Sequence, residues 1–158
     1  MKGKRILGID PGSGRLGLGL IEVIDGKPHL IHYDCILTTP NSPEPQKLSF
    51  IYEELVSRLN KIQPDLMAIE TLFFARNITS AFSVAQARGV VLLAAAQVNI
   101  EIVEIAPLRL KKVLLGNGKA KKKDVQNFIR HYFNIDAKKK LGDDAADAVA
   151  IALAHTIT

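Results

Sequence analysis

The stretch Arg5-Ile6-Leu7-Gly8-Ile9-Asp10-Pro11-Gly12-Ser13-Gly14-Arg15-Leu16-Gly17 decides the fold. Arg5 to Asp10 is mostly apolar, as a strand in the centre of a sheet is, and it ends on an acid. Pro11 to Gly14 has the composition of a turn. Arg15 to Ile24 reads as a second strand, and Asp25-Gly26 is a two-residue hairpin signal. Lys27 to Thr38 alternates well enough to be a third strand. The chain is therefore expected to open as a three-stranded antiparallel meander.

Beyond it, Thr39 to Pro45 carries three prolines and is a loop. Leu48, Ile51, Tyr52, Leu55 and Leu59 stand at helical spacing over Gln46–Ile62, and Pro64 closes that helix. Leu66–Glu70 is a short apolar strand that again ends on an acid. A loop over Thr71–Asn77 leads to a long Ala-rich helix over Thr79–Val98, then to a strand over Ile100–Ile105. Pro107 suits the first turn of a helix through Leu115. After the loop Gly116-Asn117-Gly118, the charge run Lys119–Lys123 opens a helix whose apolar face is Val125, Phe128, Ile129 and Tyr132. Asp136–Gly142 reads as a mobile basic linker, and a last, almost wholly apolar helix runs from Asp143 towards Ile157. One domain over residues 1–158, a mixed sheet with helices on its faces, is the natural assembly.

Composition narrows the function. A chain of 158 residues, 47% hydrophobic and 23% charged, is a globular domain and not a disordered tail. One cysteine excludes a disulfide framework and a cysteine-based zinc site, and suits a reducing cytoplasm. The short apolar run after Lys2, Lys4 and Arg5 is neither a signal peptide nor a membrane span. The net charge of +5 is modest, but its distribution is not: residues 1–106 sum to −1, residues 107–140 to +9 and residues 141–158 to −3. An anionic partner is expected to meet the +9 segment.

Carboxylates stand where structure alone does not ask for them. Asp10 and Glu70 each end a strand, the position beyond which sites collect in open α/β sheets. Asp10 also suits a turn, whereas Glu is a poor turn former. In Gly142-Asp143-Asp144-Ala145-Ala146-Asp147-Ala148, Asp143 reads as an N-cap and Asp144 lies where the helix dipole favours an acid. Asp147 is three residues beyond Asp144, on the same face of a helix otherwise built from Ala, Val, Ile and Leu. An acid there is costly unless it pairs or binds a cation. Four acids without matching bases nearby point to hard divalent ions such as Mg²⁺, two of which ~3.5–4 Å apart stabilise both oxygens of a phosphoryl displacement. His29, His32, His131 and His155 show no ligand spacing and read as fillers.

Ile9-Asp10-Pro11-Gly12, Ala68-Ile69-Glu70, Phe73-x-Ala75-Arg76-Asn77, Ala85-Gln86-Ala87-Arg88-Gly89-Val90 and Asp144-Ala145-Ala146-Asp147-Ala148-Val149-Ala150-Ile151-Ala152, in this order, resemble the bacterial RuvC-type Holliday-junction resolvases. The resemblance implies a ribonuclease H-like α/β fold with a five-stranded mixed sheet, three antiparallel strands first and then two parallel, flanked by helices. It implies a homodimeric crossover junction endodeoxyribonuclease that resolves four-way DNA junctions in recombination and repair. Paired nicks on strands of like polarity would leave 5′-phosphate ends. Asp10, Glu70, Asp144 and Asp147 would be the catalytic acids, holding Mg²⁺ or Mn²⁺, two ions per site. Phe73, or Phe74 beside it, would contact junction bases; an apolar ring three residues past an acid also suits wedging or stacking on its own account. Lys111 and Lys122 match family lysines at the DNA, and Lys119, Lys121 and Lys123 join them as DNA-contact candidates, with Arg76 and Arg88 as further candidates for backbone contact. A junction-migrating motor partner is implied only by the family, whereas a cytoplasmic location also agrees with the single cysteine.

Two rivals remain at this level. Asp10-Pro11-Gly12-Ser13-Gly14-Arg15-Leu16-Gly17 also fits the phosphate loop of actin-like ATPases and sugar kinases, but those proteins need a second lobe and lack the paired acids of the last helix. A related nuclease acting on RNA or on other branched DNA would use the same acids.

Overall fold

The computed structural model describes residues 3–72 and 78–157. Strands β1 (Lys4–Asp10), β2 (Arg15–Ile24) and β3 (Lys27–Leu37) form the expected meander, and Asp25 and Gly26, with φ of 51° and 75°, make the tight turn of its second hairpin. Helix α1 (Glu44–Ile62), strand β4 (Leu66–Glu70), helix α2 (Ile78–Gln97) and strand β5 (Glu101–Ile105) follow, then helices α3 (Pro107–Leu115), α4 (Lys122–Tyr132) and α5 (Asp143–Ile157). The sheet runs β3-β2-β1-β4-β5, antiparallel across the meander and parallel from β1 through β4 to β5. This is the α/β architecture that the resemblance implied.

Side chains alternate between the faces of a strand, so each face collects every second residue. Leu7, Ile9, Met67 and Ile69 pack with Ile51, Leu55 and Leu59 of α1 and Val91, Ala94 and Ala95 of α2. Ile6, Leu66 and Ala68 point the other way, against Leu110 and Leu114 of α3, Val125 and Ile129 of α4 and the apolar body of α5. Asp10 and Glu70 have the parity of this second set. They therefore leave the sheet on the side where α3, α4 and α5 pack.

Helix α5 comes unusually near the sheet because its seat has no side chains. Gly8 on β1 pairs with Gly19 on β2, and Asp10 with Gly17. A Cβ on Gly8 would stand 1.9 Å from the Ala148 carbonyl oxygen, and one on Gly17 2.0 Å from that of Asp144. On Gly19 it would stand 2.5 Å from the Val149 nitrogen. These glycines admit a helix backbone, and the phosphate-loop reading of the same stretch loses Gly17 to that role.

Two local expectations change. Helix α5 begins at Asp143 itself, and the Ala146 N–H donates to the Gly142 carbonyl, so Asp143 lies in the first turn and Gly142 takes the cap position. The basic segment Asp136–Gly142 is tethered: Arg130 donates to the carbonyls of Lys139 and Leu141, and the Leu141 side chain is buried. Helix α2 is long and apolar enough to cross a membrane by length and composition alone. It instead buries Ala81, Ala87, Val91, Ala94 and Ala95 within the domain.

Candidate active site

Strands β1 and β4 are in parallel register through Ile9 and Ile69, so Asp10 and Glu70 follow as neighbours at their carboxyl ends. Asp147 of α5 faces them, because Gly8 and Gly17 let that helix settle over β1 and β2. The three acids open onto a cleft of about 270 Å³. Its walls are Pro107 and Leu110 of α3, Val125 of α4 and Ala150 of α5, and Lys111 and Lys122 complete it. Asp144 does not line this cleft. It opens onto an adjoining one of about 410 Å³ with Arg15, Tyr33, Cys35 and Lys140, yet its charge still acts on Asp10.

Burial, and then the charges of Asp147, Asp144 and Glu70, push the Asp10 carboxyl up from 3.8 to about 7, with Lys122 opposing them. Burial and Asp147 likewise raise Glu70, against Lys111 and Lys122. Lys122 Nζ lies 2.8 Å from Asp147 Oδ2. Burial nevertheless holds Asp147 above the ordinary carboxylate range, although that bond and one from Gln126 work the other way. Partial burial alone would lower Lys122, but the Asp147 bond and the acids around it raise the lysine.

The donor set suits a hard cation. All the candidate ligand atoms are carboxylate oxygens, and the two lysines leave the acids raised, so added positive charge is what the cleft lacks. Among the described residues no three His, Cys, Asp or Glu side chains are grouped closely enough to hold one ion together, and the Lys122 ammonium is paired with Asp147.

The other predicted residues divide. Lys119, Lys121 and Lys123 are exposed: Lys119 lies in the loop before α4, Lys121 caps that helix, and Lys123 is in its first turn. Asp124 closes the cap by accepting the Lys121 N–H. Phe73, Phe74 and Arg76 lie outside the described residues. Arg88 pairs within the domain, with Nη2 2.7 Å from Glu104 Oε1. His29, His32 and His131 are exposed, and no histidine lines either cleft beside the acids. Sequence reasoning missed Gln126. Its only signal is a position four residues after Lys122, on the same face of α4.

Comparison with known proteins agrees with this geometry. The profile of the family described as "Crossover junction endodeoxyribonuclease RuvC" matches residues 6–155. A protein of that name from Thermotoga petrophila is 43% identical over 153 residues, covering 97% of this chain and 92% of its own. One from Desulfitobacterium hafniense is 43% identical over 150 residues, covering 95% and 90%. The structure of Thermus thermophilus RuvC in complex with a Holliday junction substrate superposes with a TM-score of 0.86 at 32% identity, covering 98% of this chain and 93% of that one. With the fold, the order of motifs and a match over nearly the whole length in agreement, the chain belongs to the RuvC family of crossover junction endodeoxyribonucleases.

Proposed function

We propose that this endonuclease resolves four-way DNA junctions as a homodimer, through paired nicks on strands of like polarity that leave 5′-phosphate ends. Asp10, Glu70, Asp144 and Asp147 act as its catalytic acids. The observation that carries this reading is the cleft itself, where carboxylates from β1, β4 and α5 face one another between two lysines.

The four acids would hold divalent ions, Mg²⁺ or Mn²⁺, most simply two per site. Such ions, when bound, activate water and offset charge on the leaving 3′-oxygen. The chain's own residues do the rest. Lys111 and Lys122 draw a phosphate towards acids that would otherwise repel it. Pro107, Leu110, Val125 and Ala150 give the cleft an apolar wall, which lowers the local dielectric and strengthens each charge contact inside. Lys119, Lys121 and Lys123 extend the basic rim towards the DNA arms. Phe73 or Phe74, with Arg76, would reach the junction from the segment after Glu70.

A dimer brings two sites together by two-fold symmetry, which suits a junction of approximate two-fold symmetry. Helix α2 supports it: Ile78, Phe82 and Leu93 are 80%, 64% and 51% exposed along one face, more apolar surface than a lone helix usually leaves to water. A cytoplasmic location and a motor that migrates the junction complete the proposal by family analogy.

The decisive experiment compares cutting of a mobile four-way junction with cutting of linear duplex of equal sequence, in Mg²⁺, by the native chain and by Asp10→Asn. The native chain should cut the junction, and the variant should bind it without cutting. Equal cutting of duplex, or an active variant, would overturn the assignment.

A further inference from the structure

Lys122 occupies an odd place for a lysine. It is the first residue of α4, directly after the cap residue Lys121, where the helix dipole disfavours positive charge. Helix stability therefore does not account for it. Its side chain is 62% exposed, yet its ammonium reaches inward to Asp147, which is only 17% exposed. There it sits within the electrostatic reach of Asp10, Asp144 and Glu70 as well. Lys111, the other lysine of the cleft, acts on Glu70 but is in ion-pair contact with none of the described acids. Gln126, one turn further along α4, also favours the charged form of Asp147. Upstream of Lys122, residues 116–121 form a loop with two glycines and exposed lysines, so the swing of this side chain is towards solvent and the basic rim.

We propose that Lys122 is an exchangeable occupant of the acid cleft. In the free protein its ammonium neutralises Asp147; when a divalent cation takes that carboxylate, the ammonium moves to a backbone phosphate of the DNA. No covalent bond is made or broken in the exchange; the ammonium gives up its hydrogen bond to Asp147 and makes one to a phosphate oxygen when DNA is present. The inference rests on the reading of the four acids as cation ligands. Its consequence is a coupling between two ligands. A phosphate that draws Lys122 away makes Asp147 a better cation site, and by linkage a bound cation raises affinity for phosphate by the same factor. The Asp147 end of the cleft then resists cations until DNA arrives.

The test is binding of Mn²⁺ to the DNA-free protein, followed by calorimetry, in the native chain, Lys122→Met and Lys111→Met. Both variants lose one positive charge from the same cleft, so a general electrostatic effect moves them alike. Exchange predicts that Lys122→Met binds Mn²⁺ on the order of tenfold tighter than the native chain, clearly beyond the gain in Lys111→Met. A second readout is the Lys122 side-chain ammonium resonance, identified by its loss in the Met variant. It should move to the position of free lysine as Mg²⁺ is added. Equal gains in the two variants, or a Lys122 resonance that stays fixed at saturating Mg²⁺, would overturn the exchange. If neither the native chain nor Lys122→Met binds Mn²⁺, the reading of the acids as ligands fails, and the exchange fails with it.

Discussion

Asp10 has the most consequential environment of any single residue here. Its carboxyl titrates at about 7 in the folded protein against 3.8 as its ordinary value, first because it is buried and then because of its acidic neighbours. The folded state therefore binds this proton more tightly than the unfolded chain does. The resulting stabilisation is complete below pH ~3.8 and is lost as pH rises through ~7. In the metal-free protein at about pH 8, the ionised carboxylate costs on the order of 1–4 kcal/mol. Asp10→Asn removes that cost, so in EDTA the variant should melt higher than the native chain at about pH 8, with little difference at about pH 4. Thermal unfolding at the two pH values measures it, and a variant that melts lower at about pH 8 would refute a buried, like-charged Asp10. The position of this acid was legible in the sequence because a mostly apolar strand ends on it. Its bond partners were not. The Lys122–Asp147 contact joins residues 25 apart on different helices, and no local pattern encodes such a meeting.

At the scale of elements, the site depends on how α5 lies against β1 and β2. A methyl group at Gly8 or Gly17 would enter the helix backbone at about 2 Å, so Gly8→Ala and Gly17→Ala must push α5 outward. Overpacking of this kind costs ~1–3 kcal/mol. Activity should fall further than stability does, by roughly 10²-fold for a displacement near 1 Å, because the same helix carries Asp144 and Asp147. Paired denaturation curves and junction-cutting rates check this; a variant that loses stability but cuts at the native rate would show that the seat is not what positions the acids. Strand and helix existence followed from periodicity, whereas the close approach of α5 over Gly8, Gly17 and Gly19 was not read from the sequence, although glycine within a strand is a signal for it. The ends were harder. Gly142 and Asp143 can both cap a helix, and a shift of one residue decides which does. The lysine run was read as the start of α4, yet only Lys122 and Lys123 enter it, since the cap falls on Lys121.

For the whole molecule, charge and exposed apolar surface make separate predictions. Lys119→Ala and Lys121→Ala should each weaken junction binding without changing which junction sequence is preferred. Each should reduce the slope of log K against log salt by ~0.9 if the lysine neutralises one phosphate. Binding titrations over a range of salt concentrations decide it, and an unchanged slope removes that lysine from the contact surface. On helix α2, Phe82→Glu with Leu93→Glu places charges on the exposed face and should shift the chain from dimer to monomer in analytical ultracentrifugation. A native chain that is monomeric at micromolar concentration, with and without junction DNA, would end the dimer proposal. The Ala-rich composition of this helix suggested either core or self-contact, and the structure has it serving the core on one side while Ile78, Phe82 and Leu93 remain uncovered on the other.

The central sheet, finally, acts as a partition. Helices α1 and α2 pack on one face, and α3, α4 and α5, which wall the acid cleft, pack on the other. In the proposed dimer, assembly through α2 and cutting are thus housed on opposite faces of the sheet. Between Glu70, at the border of the cutting side, and Ile78, where α2 begins, the backbone has only residues 71–77. In the proposed dimer, the shortest covalent route from a partner docked on α2 to the chemistry runs through those seven residues, which makes them the place to look for crosstalk between its subunits.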